Sequence, residues 1–104
     1  DRVKWSKITM WPKALVVHLV RWLGDGTKND ATVKFAFEEE MGTVAYTLTA
    51  VIGHQGQSVD TGHYAACTLS NRQWLLCDDS EVSIVSPASV LAVQPYVLIY
   101  QRRF

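Results

Sequence analysis

The stretches GHYAACTL at residues 62–69 and QWLLCD at residues 73–78 are the most informative part of the sequence. Each is a short run dominated by aromatic, aliphatic and other apolar residues, and the polar segment Ser70-Asn71-Arg72 between them is typical of a turn. The pattern therefore predicts the two arms of an antiparallel β-hairpin.

The register of this hairpin determines which polar side chains meet across it. A four-residue loop at 69–72 would pair Thr68 with Gln73, and His63 would then face Asp78. The same register predicts two apolar pairs, Ala65 with Leu76 and Cys67 with Trp74.

The pairing of His63 with Asp78 has a possible chemical meaning. Directly facing residues in an antiparallel pair have Cβ atoms roughly 4.5–5.5 Å apart, so a carboxylate can reach the imidazole. A slip of one residue would offer Asp79 instead or remove the carboxylate partner. A carboxylate on one ring nitrogen fixes the tautomer and leaves the other nitrogen to take a proton from a nucleophile, as in a catalytic dyad. The alternative is a satisfied polar pair with no catalytic role.

Neither cysteine is placed to be the nucleophile of such a dyad. Cys67 lies four residues from His63 on one strand, roughly 13 Å away at about 3.3 Å per residue. Cys77 has the opposite parity from Asp78 and points to the other face of the hairpin. No GxSxG motif offers a serine nucleophile. The sequence therefore holds a candidate base and its orienting carboxylate without an evident nucleophile.

The rest of the chain consists of short apolar segments between turn signals. Strands are predicted at residues 3–10, 14–22, 32–37, 44–52, 82–85 and 95–101, a polar turn at 38–42 and a glycine-rich loop at 53–62. Ser86 followed by Pro87 predicts the start of a brief helix over 87–92. Without repeat or linker, residues 1–104 form one unit of about seven mostly antiparallel strands, either a free-standing β-domain or the sheet of a larger α+β protein.

Composition and charge restrict the classes of function. The 104 residues are 48% hydrophobic and 19% charged, typical of a globular domain, and the formal net charge of zero gives no electrostatic argument for nucleic acid or an anionic membrane. The longest apolar run, 14–20, is interrupted by His18 and is too short for a bilayer. Two cysteines without CxxC spacing predict a reducing, intracellular compartment and no zinc site. A chain that begins at Asp1 without Met or a signal peptide is expected to come from inside a longer polypeptide.

The other two histidines have several interpretations. His18 lies amid apolar residues and is expected to be a packed core or edge histidine. His54 lies in the predicted glycine loop, where it could be a surface residue, a support for a catalytic group or a substrate-binding residue. A metal site built from His54, His63 and Cys67 has too few ligands and matches no known ligand spacing, so no metal and no other cofactor is expected.

Six blocks of the sequence, in order, resemble the ubiquitin-specific proteases, a group of deubiquitinating cysteine proteases. Together they cover nearly the whole chain, from about residue 11 to residue 102. The blocks are PKALVVHLVRW at 12–22, Lys28 with Val33 and Phe35, YTLTAVIGHQG at 46–56, TGHYAA at 61–66, WLLCDDSEV at 74–82 and YVLIYQR at 96–102.

The resemblance implies a papain-like cysteine protease fold in which this segment supplies much of the palm, an α+β architecture that is predominantly antiparallel β. It implies that His63 is the general base, that Asp78 is the third member of the triad and that Asp79 is an adjacent carboxylate that supports it. His54 and Tyr64, with Gly62 between them, would line the groove for the C-terminal tail of ubiquitin. Ubiquitin and ubiquitinated proteins would be the partners, in the cytoplasm or the nucleus.

The departures from the family pattern leave an alternative open. The family's cysteine box, which carries the nucleophile, lies upstream of these blocks and is absent here, and Val20 and Trp22 replace the usual Lys and Phe. The chain alone is therefore expected to be inactive, and to expose an apolar face that associates with a complementary chain or segment carrying the cysteine box. The alternative is a non-catalytic, protease-like module that binds ubiquitin or a protein partner. A structural β-domain with chance motif matches is the third interpretation.

Overall fold

A computed structural model describes residues 10–21, 28, 29, 31–58 and 61–103 of the chain. These residues form one seven-stranded sheet and one short helix: β1 (Ala14–His18), β2 (Glu38–Met41), β3 (Val44–Ser58), β4 (Thr61–Ser70), β5 (Gln73–Asp78), β6 (Glu81–Val85), α1 (Pro87–Leu91) and β7 (Pro95–Arg102). The strands lie in the order β1-β7-β3-β4-β5-β6, with β2 beside one end of β3. Every strand pair in this part of the chain is antiparallel, so the predicted, predominantly antiparallel fold is confirmed.

The predicted β4–β5 hairpin is present, but its loop is shorter than expected. Ser70 pairs with Gln73, so only Asn71 and Arg72 form the turn, with φ angles of 49° and 65°. Positive φ at both central residues is the geometry of a type I′ turn, whose twist matches that of the paired strands. The predicted four-residue loop was therefore wrong, and the facing pairs are instead Cys67 with Leu76 and Leu69 with Trp74. Because the register differs by two residues, each side chain keeps its predicted face.

Two segments predicted to be irregular are strands. Residues 38–42, predicted as a turn, contain β2, which pairs with β3 around a turn at Gly42. The predicted loop at 53–62 is largely strand, since β3 continues to Ser58 and β4 begins at Thr61, with a register shift in the pairing after Gln55. In both places, pairing with a neighbouring strand outweighs the low intrinsic β-propensity of Glu and Gly.

Other predictions differ from the structure mainly in their boundaries. The strand predicted at 14–22 ends at His18, and residues 32–37 are not a strand. Val33, Phe35 and Phe37 are nevertheless half-buried and alternate with exposed neighbours, as the sequence pattern predicted. The strand predicted at 3–10 falls outside the described residues except for its last position.

The core is built from β3, β4, β5, β7 and α1. Its buried hydrophobic residues are Tyr46, Leu48, Val51, Cys67, Trp74, Val90, Leu98 and Tyr100. Val90 attaches α1 to this core, and the predicted helix cap is formed because Ser86 Oγ accepts a hydrogen bond from the Ser89 amide at 3.2 Å. Nowhere in the described ranges does a helix reach the length and apolarity that crossing a bilayer takes.

The outer strand β6 exposes apolar side chains. Val82 and Ile84 are 61% and 67% exposed, and β6 is the last strand of the sheet on its side. Exposed β-branched side chains on an edge strand form a surface on which another chain can pack. The expected exposure of apolar side chains is thus present at β6, and their association with a neighbouring chain stays a prediction.

Candidate active site

The start of β4 and the end of β5 bring His63 and Asp78 together. The Nε2 atom of His63 contacts the Oδ1 atom of Asp78, and both side chains are nearly half exposed. The last pair of this ladder is Ala66 with Cys77, so one more step along the strands sets Asp78 opposite Ala65. His63 therefore reaches Asp78 diagonally. The directly facing arrangement predicted from the sequence was wrong, whereas the predicted meeting of the two side chains is present in the structure.

Asp79 occupies the tight turn between β5 and β6. Its φ of 54° lies in the left-handed region, which Asp and Asn tolerate better than most other residues. One donor atom each from His63, Asp78 and Asp79 lie within 4.8 Å of one another. This group differs from the metal ligand set considered from the sequence, because His54 and Cys67 are not part of it. Asp78 is already bonded to the histidine, so the arrangement suits the orientation of an imidazole.

The two carboxylates control the charge of His63. The hydrogen bond and the negative charge of Asp78, with a smaller contribution from Asp79, raise the pKa of His63 above its ordinary value of 6.5. In the neutral ring, Nε2 carries the hydrogen that Asp78 accepts, so Nδ1 holds the lone pair. The geometry therefore presents Nδ1 as the atom that can take up a proton from a nucleophile.

Replacing Asp78 by Asn should lower the pKa of His63, because the variant removes the nearest negative charge at almost unchanged shape and turns a charged hydrogen-bond acceptor into a neutral one. An NMR pH titration of the His63 ring protons measures the change. A raised histidine pKa also means that the contact stabilises the fold fully below pH 6.5, and that this stabilisation is lost as the pH rises through the folded-state pKa. Asp79→Asn is the matched control, with a smaller shift in the same direction. An unaltered titration in Asp78→Asn would show that the contact does not form in solution.

A cleft of about 710 Å³ opens beside His63 and Asp78. Alternate residues of β4 and β5 line its floor, including Ala65, Cys67 and Leu76, and residues 92–94 after α1 line its far side. Burial raises the pKa of the Cys67 thiol, with a smaller contribution from Cys77. A buried thiol with a raised pKa is a poor source of thiolate, so Cys67 is suited to packing and not to attack.

His54 is a buried residue of β3, which corrects the prediction of a loop position and rules out a simple surface role. It is only 5% exposed, because the ring of Tyr64 covers it at a centroid distance of 4.5 Å. His54 and Tyr64 face each other across β3 and β4. Tyr64 is 43% exposed and also contacts Tyr96 at 5.7 Å. The structure therefore brings the rings of His54 and Tyr64 together, but of the two only His54 lines the cleft.

Gly62 makes the close approach of β3 and β4 possible. Its φ of +139° is a conformation that side chains rarely adopt. A Cβ at this position would overlap the Gln55 carbonyl oxygen and the Nε2 atom of His54. Gly62 therefore holds the backbone between His54 and His63 in place, and has no side chain with which to contact a ligand.

His18 lies on the edge strand β1 and is exposed. Its ring meets Tyr96 edge-on at 4.8 Å. Of the two sequence-based interpretations, the edge position is confirmed and the packed core position is wrong.

Comparison with known proteins places this arrangement in a family. A family model described as ubiquitin carboxyl-terminal hydrolase matches residues 5–100. The chain belongs to the ubiquitin carboxyl-terminal hydrolase family. The resemblance to the ubiquitin-specific proteases is thereby confirmed. Ubiquitin carboxyl-terminal hydrolase 10 of Saccharomyces cerevisiae is 33% identical over 116 residues, which cover 98% of this chain and 14% of that protein.

Solved structures of the family have the same fold. A chain of the SAGA DUB module Ubp8-Sgf11-Sgf73-Sus1 superimposes with a TM-score of 0.82 at 33% identity, covering 89% of this chain and 24% of that one. The same module bound to ubiquitin aldehyde matches with a TM-score of 0.77 at 31% identity, covering 89% and 25%. The palm of a papain-like ubiquitin carboxyl-terminal hydrolase is thus the fold of this chain, which spans about a quarter or less of these relatives.

Three residues near the cleft of this hydrolase family member were not assigned a site role from the sequence. Arg21 is only 3% exposed, although it is a charged residue in the apolar block at 12–22. Lys28 and Gly53 line the cleft. An arginine inside an apolar block was a possible signal, since a buried charge needs hydrogen-bonding partners. Those partners, Pro95, Asn29 and Ala31, all lie outside the block, so the block alone could not identify them.

Proposed function

We propose that this chain supplies the general base and its orienting carboxylate to a thiol-dependent ubiquitin hydrolase. The observation that carries the proposal is the contact of His63 Nε2 with Asp78 Oδ1 at the mouth of a cleft, in a chain of this family. In this assignment His63 is the base, Asp78 orients it and Asp79 adds negative charge nearby.

The proposed reaction uses His63 twice. A cysteine thiol gives its proton to Nδ1 of His63, and its sulfur attacks the carbonyl carbon at the end of the ubiquitin tail. The carbon–nitrogen bond then breaks, and His63 returns the proton to the leaving lysine amine. Water attacks the resulting thioester, again with His63 accepting a proton, and releases the ubiquitin carboxylate and the thiol. Asp78 keeps the ring oriented through both steps and stabilises its charged form.

The proposed substrate is the extended C-terminal tail of ubiquitin on a modified protein. Tyr64 offers an exposed aromatic ring next to His63 in the sequence, His54 contacts that ring and lines the cleft, and Gly62 keeps the two strands close. The related module solved with ubiquitin aldehyde supports this choice of substrate. We also propose the cytoplasm or nucleus as its location, since the free thiols of Cys67 and Cys77 suit a reducing compartment.

In this proposal the nucleophile comes from outside these 104 residues. Cys67 is buried with a raised thiol pKa, and Cys77 pairs on the opposite face of the hairpin from Asp78. A complementary chain or segment with the cysteine box would complete the site, and the 104-residue chain alone would be inactive. The exposed side chains of β6, Val82 and Ile84, offer part of the surface on which such a neighbour can pack.

A ubiquitin probe with a thiol-reactive group at its C-terminus tests the proposed function. The complete protein should form one covalent adduct, on a cysteine other than Cys67 or Cys77, and the 104-residue chain alone should form none. Peptide mapping by mass spectrometry locates the adduct. An adduct on Cys67 or Cys77 would contradict the assigned nucleophile, and the absence of any adduct on the complete protein would contradict hydrolysis by thiol chemistry.

The second candidate function is a protease-like module that binds ubiquitin without cleaving it. The observation that favours it is the unsuitability of Cys67 and Cys77 as nucleophiles. Tight binding of the ubiquitin probe with no adduct on the complete protein would select this candidate.

A further inference from the structure

Arg21 lies behind the cleft and holds three main-chain carbonyls together. Its Nε and one terminal nitrogen both donate to the Pro95 carbonyl, at 3.0 and 2.8 Å. The other terminal nitrogen donates to the carbonyls of Asn29 and Ala31, at 3.1 and 2.5 Å. A guanidinium is the side chain that can serve several acceptors in fixed directions, so Arg21 ties the segment around residue 29 to the start of β7.

Lys28 extends this arrangement to β3. It directly precedes Asn29, whose amide donates to the Arg21 carbonyl at 2.5 Å. The Lys28 Nζ atom donates to the main-chain carbonyl of His54 at 2.7 Å. A hydrogen bond from a charged donor to a half-buried carbonyl is stronger than one from a neutral donor, so this contact holds the backbone of β3 at His54.

The segment just before β7 also contacts β3 directly. A Cβ on Gly53 would lie 2.8 Å from Val93 Cγ1 and 3.3 Å from the Gln94 carbonyl oxygen. Gly53 and Gln94 therefore pack backbone against backbone, next to the carbonyl that Arg21 binds. These contacts hold or adjoin one part of the cleft lining, namely Lys28, Gly53, His54, Gln55, Val93 and Gln94.

We propose that Lys28 is a positioning residue for the substrate tail, and that Arg21 positions Lys28. Lys28 holds the main chain of β3 at His54, and His54 and Gln55 line the cleft beside His63, with which Gln55 pairs. Neither Lys28 nor Arg21 contacts His63 or Asp78 through any hydrogen bond in the described structure. The arrangement therefore affects how the tail is held and leaves the proton transfer unchanged. This inference rests on the proposed function, since it assumes that the cleft binds the ubiquitin tail.

Lys28→Met in the complete enzyme tests the inference, because methionine keeps much of the apolar stem and removes the donor. Loss of a charged hydrogen bond predicts a rise in KM of roughly 10-fold for a ubiquitin substrate, with kcat within about twofold of wild type. Hydrogen exchange at the amides of residues 53–55 should become faster. A purely structural role would lower the melting temperature without this division between KM and kcat.

Tyr100→Phe is the matched control, because it also removes one bond from a side chain to a main-chain carbonyl, that of Ala36 at 3.2 Å, away from the cleft. It should leave KM and the exchange at 53–55 unchanged. Arg21→Lys should raise KM in the same way as Lys28→Met, and if it fails to fold, Lys28→Met alone decides.

Several outcomes would overturn the inference: unchanged KM and exchange in Lys28→Met, a fall in kcat at constant KM, or an equal rise in KM in Tyr100→Phe. If the wild-type complete protein cleaves no ubiquitin substrate, the proposed function fails separately. The exchange rates of the amides at residues 53–55 then decide whether Lys28 positions this part of β3. Equal rates in wild type and Lys28→Met would reject that role.

Discussion

The His63→Ala variant of the complete enzyme should lose roughly 10³-fold or more in kcat/KM, because the same imidazole acts as base and acid in the proposed reaction. The Asp78 carboxylate orients this ring through Nε2, and alanine leaves Nδ1 without a replacement. His63 is exposed at the mouth of the cleft, so its removal leaves no buried cavity and should cost little stability. Steady-state hydrolysis of a fluorogenic C-terminal ubiquitin derivative measures the loss.

Ubiquitin affinity separates catalysis from binding in this variant. The Kd for ubiquitin, measured by calorimetry, should stay within about threefold of wild type, since the lost interactions belong to the transition state. Ser70→Ala is the control, because Ser70 is exposed at the other end of the same strand. Near-normal turnover in His63→Ala would disprove the assigned base, and a large loss of affinity with little loss of turnover would mean that His63 binds the substrate.

The Gly62→Ala variant should be destabilised by about 3 kcal/mol or more, since it combines a backbone conformation rarely open to other residues with a steric overlap. The φ of Gly62 is +139°, and the added Cβ would overlap the Gln55 carbonyl oxygen and the His54 ring. Neither neighbour can move easily, because Gln55 is part of the paired main chain and His54 is buried under Tyr64. Chemical denaturation measures the change in the free energy of unfolding.

Gly42→Ala gives a matched comparison for this prediction. Gly42 also has a positive φ, 64°, but this lies in the left-handed region, where alanine costs only about 1–2 kcal/mol. Its nearest neighbour would be the side chain of Trp11 at 3.3 Å, which can shift. Equal destabilisation by Gly62→Ala and Gly42→Ala would show that the steric overlap with His54 and Gln55 adds nothing to the loss of unfolding free energy.

The candidate dyad shows how far the sequence could predict the site. Because side chains alternate along β4 and β5, His63 and Asp78 lie on the same face in any register that differs from the predicted one by an even number of residues. The structure differs from the predicted register by two residues, so the contact survived an error in the loop length. The length of the loop depended on the φ angles of Asn71 and Arg72, and Arg is not a residue that signals positive φ.

Local spacing and the order of local blocks were enough to predict the hairpin, the shared face of His63 and Asp78, the helix cap at Ser86 and the family. The burial of His54, the continuation of β3 through residues 53–58 and the hydrogen bonds of Arg21 and Lys28 depend on how distant segments meet in the folded chain. Lys28 and His54 are 26 residues apart, and Arg21 and Pro95 are 74 apart. Every residue has a main-chain carbonyl, so a hydrogen bond to a carbonyl does not depend on the type of the acceptor residue. No pattern of side chains in the sequence can therefore predict such contacts.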